Sequence, residues 1–262
     1  MKNGCGMTRR CFFVEQVDPD RQLVIITGAA AHHMQDVLRL HSGAEVELCD
    51  GRGNGWTGAV VKNKKGAVHI RLLSSKTLRN ESPLDLILAM ALARADRMEL
   101  VLRQATELGV ARFVAYPSSR SQYSLSPAQM DKRRERWLKI AREAICQCGR
   151  GKLPQVHIAA DFWDFLRWAE ANVDRDQSLR LAAMEDARRA SLGDIWRAFP
   201  TCRQLLAVVG PEGGWSEEEW SAFTQAGFHQ VHLGPRILRL ETAAIALVTL
   251  AQHLWGDLVV RS

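Results

Sequence analysis

The residues of this chain with the most chemical content lie near its C-terminus: Leu205-Leu206-Ala207-Val208-Val209-Gly210-Pro211-Glu212-Gly213-Gly214-Trp215-Ser216, then Leu233-Gly234-Pro235-Arg236-Ile237-Leu238-Arg239-Leu240-Glu241-Thr242-Ala243. In both runs an apolar strand enters a Gly-Pro turn and a helix follows. The glycines allow positive φ and let a ligand come against bare backbone. Ser216 with Glu219 three residues on reads as a capping box opening a helix. Two such loops at the same end of neighbouring parallel strands form a crevice, where open α/β sheets bind ligands. A Walker loop needs Lys-Ser or Lys-Thr after its glycines to meet phosphate, and Gly210-Pro211-Glu212-Gly213-Gly214 offers neither. Glu212 would also repel phosphate, and no Gly-x-Gly-x-x-Gly follows the strand expected at residues 84–92. The loops therefore suit a neutral or cationic ligand held by backbone groups. Taken singly, the first also reads as a plain tight turn.

A second candidate is the basic stretch 129–152, where Lys132, Arg133, Arg134, Arg136, Lys139, Arg142, Arg150 and Lys152 outnumber Asp131, Glu135 and Glu143. Trp137, Ile140, Ala141 and Ala144 mark the buried stripe, so the cations line the other side of the helix, either as a solvated face or as a surface for phosphates. Gly149 and Gly151 flank Arg150 and would let its guanidinium approach a ligand closely. No metal is expected. Cys146 and Cys148 point to different faces of a helix, Cys5 and Cys11 lack a second pair at zinc-finger spacing, and the adjacent His32 and His33 do not face one another.

These residues need positioning elements. Short strands at 11–14, 23–26, 45–49, 56–61 and 67–72, with turns at 50–55 and 63–66 and one helix at 32–40, predict a small, partly closed β-barrel. Such barrels often bind single-stranded nucleic acid, although one could equally be a structural appendage. Arg9, Arg10, Arg39, Arg52, Lys62, Lys64 and Lys65 favour RNA. The polar stretch 74–83 is the expected linker, dividing a domain at 1–73 from one at 84–262. Beyond it, strands at 84–92, 112–116, 155–159, 179–184, 205–209 and 230–233 alternate with helices at 96–108, 127–147, 161–171, 191–199, 216–226 and 241–255. Apolar strands in that alternation predict a parallel sheet covered on both faces.

The chain has 262 residues, 47% of them apolar, and 35 Lys and Arg against 29 Asp and Glu give a net charge of +6. That excess suits an anionic partner such as nucleic acid. No apolar run approaches the ~20 residues that cross a bilayer. Residues 1–10 are polar and lack the apolar core of a signal peptide, so a cytoplasmic location is expected. The six cysteines are too sparse for a disulfide framework and are expected to be reduced.

Taken together, the motifs resemble over nearly the whole chain the RsmE family of small-subunit ribosomal RNA uracil methyltransferases, of the SPOUT class. The matching residues are Arg9-Arg10-Cys11-Phe12-Phe13, Val37-Leu38-Arg39, Asp50-Gly51-Arg52-Gly53, Ala105-Thr106-Glu107-Leu108-Gly109-Val110, Arg120-Ser121, Arg136-Trp137 with Gln147 and Gly149-Arg150, and the two C-terminal loops. Where the family often has Lys-Gly before Asp96, this chain has Ala93-Arg94-Ala95.

The resemblance implies an α/β fold: a SPOUT-type parallel sheet with a C-terminal trefoil knot, preceded by a PUA-like barrel. It implies S-adenosylmethionine as cofactor, held by Val209, Gly210, Pro211, Glu212, Gly213, Gly214, Leu233, Gly234, Arg236, Ile237, Leu238, Arg239, Thr242 and Ala243. The implied reaction is methylation of ring nitrogen 3 of a uridine in the decoding region of small-subunit ribosomal RNA. Because the imide proton must leave, the candidates are Glu143 or Glu241 as base, or Arg10, Arg120 or Arg239 stabilising the uracil anion. RNA contacts are expected from Arg9, Arg10, Arg39, Arg136, Lys139 and Arg150. The last helix is apolar over most of its circumference (Ala243, Ala244, Ala246, Leu247, Val248, Leu250, Ala251, Leu254 and Trp255), which predicts a homodimer. The rival readings are a non-catalytic RNA-binding or ribosome-assembly protein, and a SPOUT enzyme acting on another RNA. The intact glycines and complete second loop argue for cofactor binding, and the barrel for ribosomal RNA.

Overall fold

The computed structural model describes residues 10–17, 22–185 and 189–258. The chain divides into two compact units, Met1–Glu81 with Arg142–Leu153, and Ser82–Ala141 with Pro154–Ser262.

In the first unit β1 (Cys11–Phe13), β2 (Leu23–Thr27), β3 (Glu45–Cys49), β4 (Asn54–Lys64) and β5 (Ala67–Thr77) form a curled sheet in the order β1-β3-β4-β5-β2. The β1–β3 pair is parallel and the other pairs are antiparallel. Alternation sets its faces: Val24 and Ile26 of β2 are buried while Leu23 and Ile25 are exposed, as expected of a strand with one face on a core. The strand β5 continues through Thr77, past the expected start of the linker at Ser74. Backbone pairing with β4 and a Thr57–Ser74 hydroxyl contact of 3.0 Å hold this polar stretch extended. The expected helix at 32–40 is instead α1 (Gly28–His32) followed by a π-helical turn at His33–Val37. Its widened hydrogen bond runs from Leu38 N–H to His33 C=O at 2.9 Å.

The second unit contains β6 (Asp85–Ala91), α2 (Ala95–Glu107), β7 (Arg112–Tyr116), most of α3 (Pro127–Cys148), β8 (Gln155–Ile158), α4 (Phe162–Asn172), β9 (Leu179–Met184) and the two-residue β10 (Ala190–Ser191). It continues with α5 (Leu192–Ala198), β11 (Gln204–Val209), α6 (Glu217–Gln225), β12 (His229–His232) and α7 (Leu240–Leu254). The strands are all parallel, in the order β10-β12-β9-β11-β6-β7-β8. A core lies on each face. One gathers Met98, Leu102, Trp137, Leu247 and Ala251 from α2, α3 and α7, and the other Phe162, Phe165 and Phe223 from α4 and α6. Apolar side chains on both faces of β6 and β11 explain their unbroken apolar runs.

Candidate active site

Strands β12, β9 and β11 are adjacent and parallel, so the segments after Met184, Val209 and His232 leave the sheet at the same edge. The sequence suggested that the two Gly-Pro loops follow neighbouring strands; β9 in fact lies between them. A cavity of about 490 Å³ opens at this edge. Val209, Gly210, Pro211, Glu212, Gly214, Leu233, Gly234, Arg236, Ile237, Leu238, Arg239 and Ala243 line it, whereas Gly213 and Thr242 do not. Sequence reasoning missed Ala183, Met184 and Glu185 from the end of β9, with Trp215, Trp220 and Leu240. The apolar run of β9 was visible, but its place between β11 and β12 depends on long-range pairing.

The first loop is shaped from below. A Cβ on Gly210 would lie 2.7 Å from the Trp215 ring, so only glycine lets the backbone lie against that indole. The indole N–H donates to Tyr116 Oη at 3.2 Å, and Tyr116 donates to the Val209 carbonyl at 3.1 Å. The loop then turns through Gly214, whose φ of 67° favours glycine. The Ser216–Glu219 capping box opens α6. Glu219, 3% exposed, also accepts from the Ser119 N–H at 2.8 Å and from the Ser118 and Ser119 hydroxyls at 2.9 and 3.0 Å. Burial pushes its pKa up, but the N–H groups of Ser119 and Ser216 and these hydroxyls outweigh burial and hold it below the ordinary carboxylate value. The residues after β7 are thus anchored to the helix after β11.

The candidate catalytic groups are distributed over both units. In the second, Arg97 pairs with Glu212 and lies 3.9 Å from Glu241 Oε2. Glu241 is in the first turn of α7, where the helix dipole favours negative charge, and its Oε2 is buried without a hydrogen bond. Arg239 is the exposed N-cap residue of α7 and lines the cavity. Arg120 donates to the Gly213 carbonyl at 3.2 Å. Arg10 and Glu143 belong to the first unit, and both are exposed.

Of the expected RNA contacts, Arg39 and Lys139 are exposed. Arg136 is exposed and grips Glu99 with two nitrogens, one of them 2.7 Å from Oε2. Arg9 lies outside the described residues. Arg150 departs from expectation: it is 5% exposed and donates to Glu81 at 2.8 and 3.2 Å. Glu81 also accepts from the N–H groups of Gly151 and Lys152, so the Gly-Arg-Gly loop is held in an internal ion-pair clasp. Among the described residues no helix is long and apolar enough to cross a membrane.

A family described as an RNA methyltransferase domain matches residues 80–252, and one described as an RNA methyltransferase PUA domain matches residues 26–73. The chain is similar to the ribosomal RNA small subunit methyltransferase E of Bacillus subtilis, with 31% identity over 84% of this chain and 86% of that protein. It is also similar to the solved structure of a methyltransferase from Legionella pneumophila in complex with the cofactor SAM. The TM-score there is 0.87 and the identity 31%, over 96% of this chain and 100% of that one. The ribosomal RNA small subunit methyltransferase E of Neisseria gonorrhoeae, solved bound to S-adenosyl methionine, gives a TM-score of 0.84 and 31% identity over the same shares.

Proposed function

The chain belongs to the ribosomal RNA small subunit methyltransferase E family, and on that premise we propose that it methylates ring nitrogen 3 of a uridine in the decoding region of small-subunit ribosomal RNA. It is an S-adenosylmethionine-dependent ribosomal RNA methyltransferase with an N-terminal PUA domain. The observation that carries the site assignment is the glycine-walled cavity at the ends of β9, β11 and β12.

The residues present fit the cofactor. The cavity volume is within the usual range for small-ligand sites, roughly 300–1,000 Å³. Its wall has apolar Leu233, Ile237 and Leu238 beside loop backbone, which suits an adenosine. It also has Glu185, which suits a cationic sulfonium, with Glu212 already paired to Arg97, and no Walker-type lysine. The backbone of residues 209–214 and 233–238, with Ala243 at the start of α7, would hold it. When bound, the cofactor supplies an electrophilic methyl group on sulfur.

The chain's own residues must orient the uracil, remove its imide proton and stabilise the resulting anion. Arg239, at the cavity wall, and Arg120, against the first loop, supply positive charge for that anion. Glu241 is the candidate proton acceptor by its place at the start of α7, next to the cavity-lining Leu240 and Arg239, although its own side chain does not line the cavity. Glu143 and Arg10, the other carboxylate and cation expected from the sequence, belong to the first unit. Holding donor and acceptor in line removes much of the entropic barrier.

The same reading includes the C-terminal trefoil knot, a cytoplasmic location and RNA contacts through Arg10, Arg39, Arg136 and Lys139. It also includes a homodimer formed through α7. Supporting the dimer, Ala244, Leu247, Val248 and Ala251 are buried in the unit's own core, while Ala243, Ala246, Leu250 and Leu254 form a partly exposed apolar stripe. Mass spectrometry of small-subunit RNA from cells lacking the gene, with and without the gene restored, tests the reaction. Loss and return of one 3-methyluridine is expected; an unchanged modification pattern would refute it.

A further inference from the structure

Three cysteines distant in sequence meet in the first unit. Cys11 on β1, Cys49 at the end of β3 and Cys146 near the end of α3 have sulfurs all within 4.8 Å of one another, and Cys49 Sγ is 3.6 Å from Cys146 Sγ. All are free thiols. Cys49 and Cys146 are buried and Cys11 is half-buried. Ile145, Phe13, Leu78 and Leu153 surround them with apolar surface. Sulfurs sharing one tetrahedral zinc ion at the usual bond length of about 2.3 Å stand about 3.8 Å apart, and the trio is already close to that spacing. Next to Cys11 is a cavity of about 40 Å³, also lined by Glu47, Lys76 and Asn80, large enough for one water at about 30 Å³.

We propose that Cys11, Cys49 and Cys146 bind a zinc ion as three thiolate ligands, with a water from the adjoining cavity in the fourth position. Thiolates select Zn²⁺ and Cu⁺ among the common ions. With three thiolates, Zn²⁺ leaves one net negative charge in the apolar pocket and Cu⁺ leaves two, so desolvation favours zinc. The ion would tie β1, β3 and the end of α3 together. The sequence pointed away from a metal because Cys146 and Cys148 face apart on their helix. The fold instead brings Cys146 against two strands of the sheet.

The test uses the full-length chain, reduced and stripped with a chelator. Titration with Co²⁺ as probe should saturate at one ion per chain, with an intense thiolate-to-cobalt charge-transfer band and the visible bands of a tetrahedral site. Zn²⁺ should bleach both. With zinc bound, alkylation followed by peptide mass spectrometry should find Cys11, Cys49 and Cys146 protected and Cys148 and Cys202 modified, a readout that requires no variant. Cys11→Ser, at the half-buried position, should weaken Co²⁺ binding at least tenfold, while Cys148→Ser should leave it unchanged. The proposal is overturned if the reduced chain takes up neither ion, or if zinc protects a different set of cysteines. A Cys49–Cys146 disulfide in a chain that binds no metal once reduced would also overturn it.

Discussion

Gly210 and Gly213 lie in the same loop but differ in what surrounds them. A Cβ at Gly210 would press into Trp215 at 2.7 Å, whereas at Gly213 the nearest atom is Arg120 Cβ at 3.4 Å, an ordinary contact. Gly210→Ala should weaken S-adenosylhomocysteine binding at least tenfold, about 1.4 kcal/mol, and Gly213→Ala should change it little; calorimetry on both variants decides. Arg150 and Lys139 form a similar pair. Lys139→Ala should lower the slope of log affinity against log salt for RNA by about 0.7 to 0.9. Arg150→Ala should leave that slope unchanged and lower stability by roughly 2 kcal/mol, because it leaves the Glu81 carboxylate with only its two backbone donors. The sequence showed which residues are basic and which are glycine. It could not show that Glu81, across 69 positions, occupies the arginine.

Elements with local signals were the most legible. The Ser216–Glu219 box, written within four residues, appears where expected, and Gly109, φ 89°, follows the end of α2. The tie from Glu219 to Ser118 spans 101 positions, and no local rule reports it. Its sign with pH follows from the direction of the shift. The folded carboxyl titrates below its ordinary value near 4.5, so its stabilisation is present above that pH. The stabilisation fades as pH falls through the lower folded value. At pH 7, Glu219→Gln should cost about 2 kcal/mol, and the gap in melting temperature between variant and parent should shrink in acid. A gap that persisted in acid would mean the cost comes from packing and not from charge.

For the whole molecule, alternation and apolar runs gave the layers, but the strand order β12-β9-β11 and the shape of the first unit depended on distant pairing. The face of α7 also became specific only in the fold, which leaves Leu250 40% exposed on a stripe with the half-buried Ala243, Ala246 and Leu254. Leu250→Glu should convert a dimer to a monomer in light scattering and reduce methyl transfer with it, since an unpaired charge is costly in a dry contact. A wild-type chain that is monomeric and active would remove that interface. The first unit is discontinuous: Arg142–Leu153 belongs with Met1–Glu81, and Ile145 and Cys146 pack on Cys49, Phe13 and Leu78. During synthesis the N-terminal sheet leaves the ribosome without that plug, and residues 82–141 must be translated before it arrives. The nascent sheet therefore carries an uncovered apolar floor at Cys49, Phe13 and Leu78 for that interval. A stalled chain ending at residue 120 should be cleaved by protease within the sheet far more readily than one stalled after residue 153 has cleared the exit tunnel.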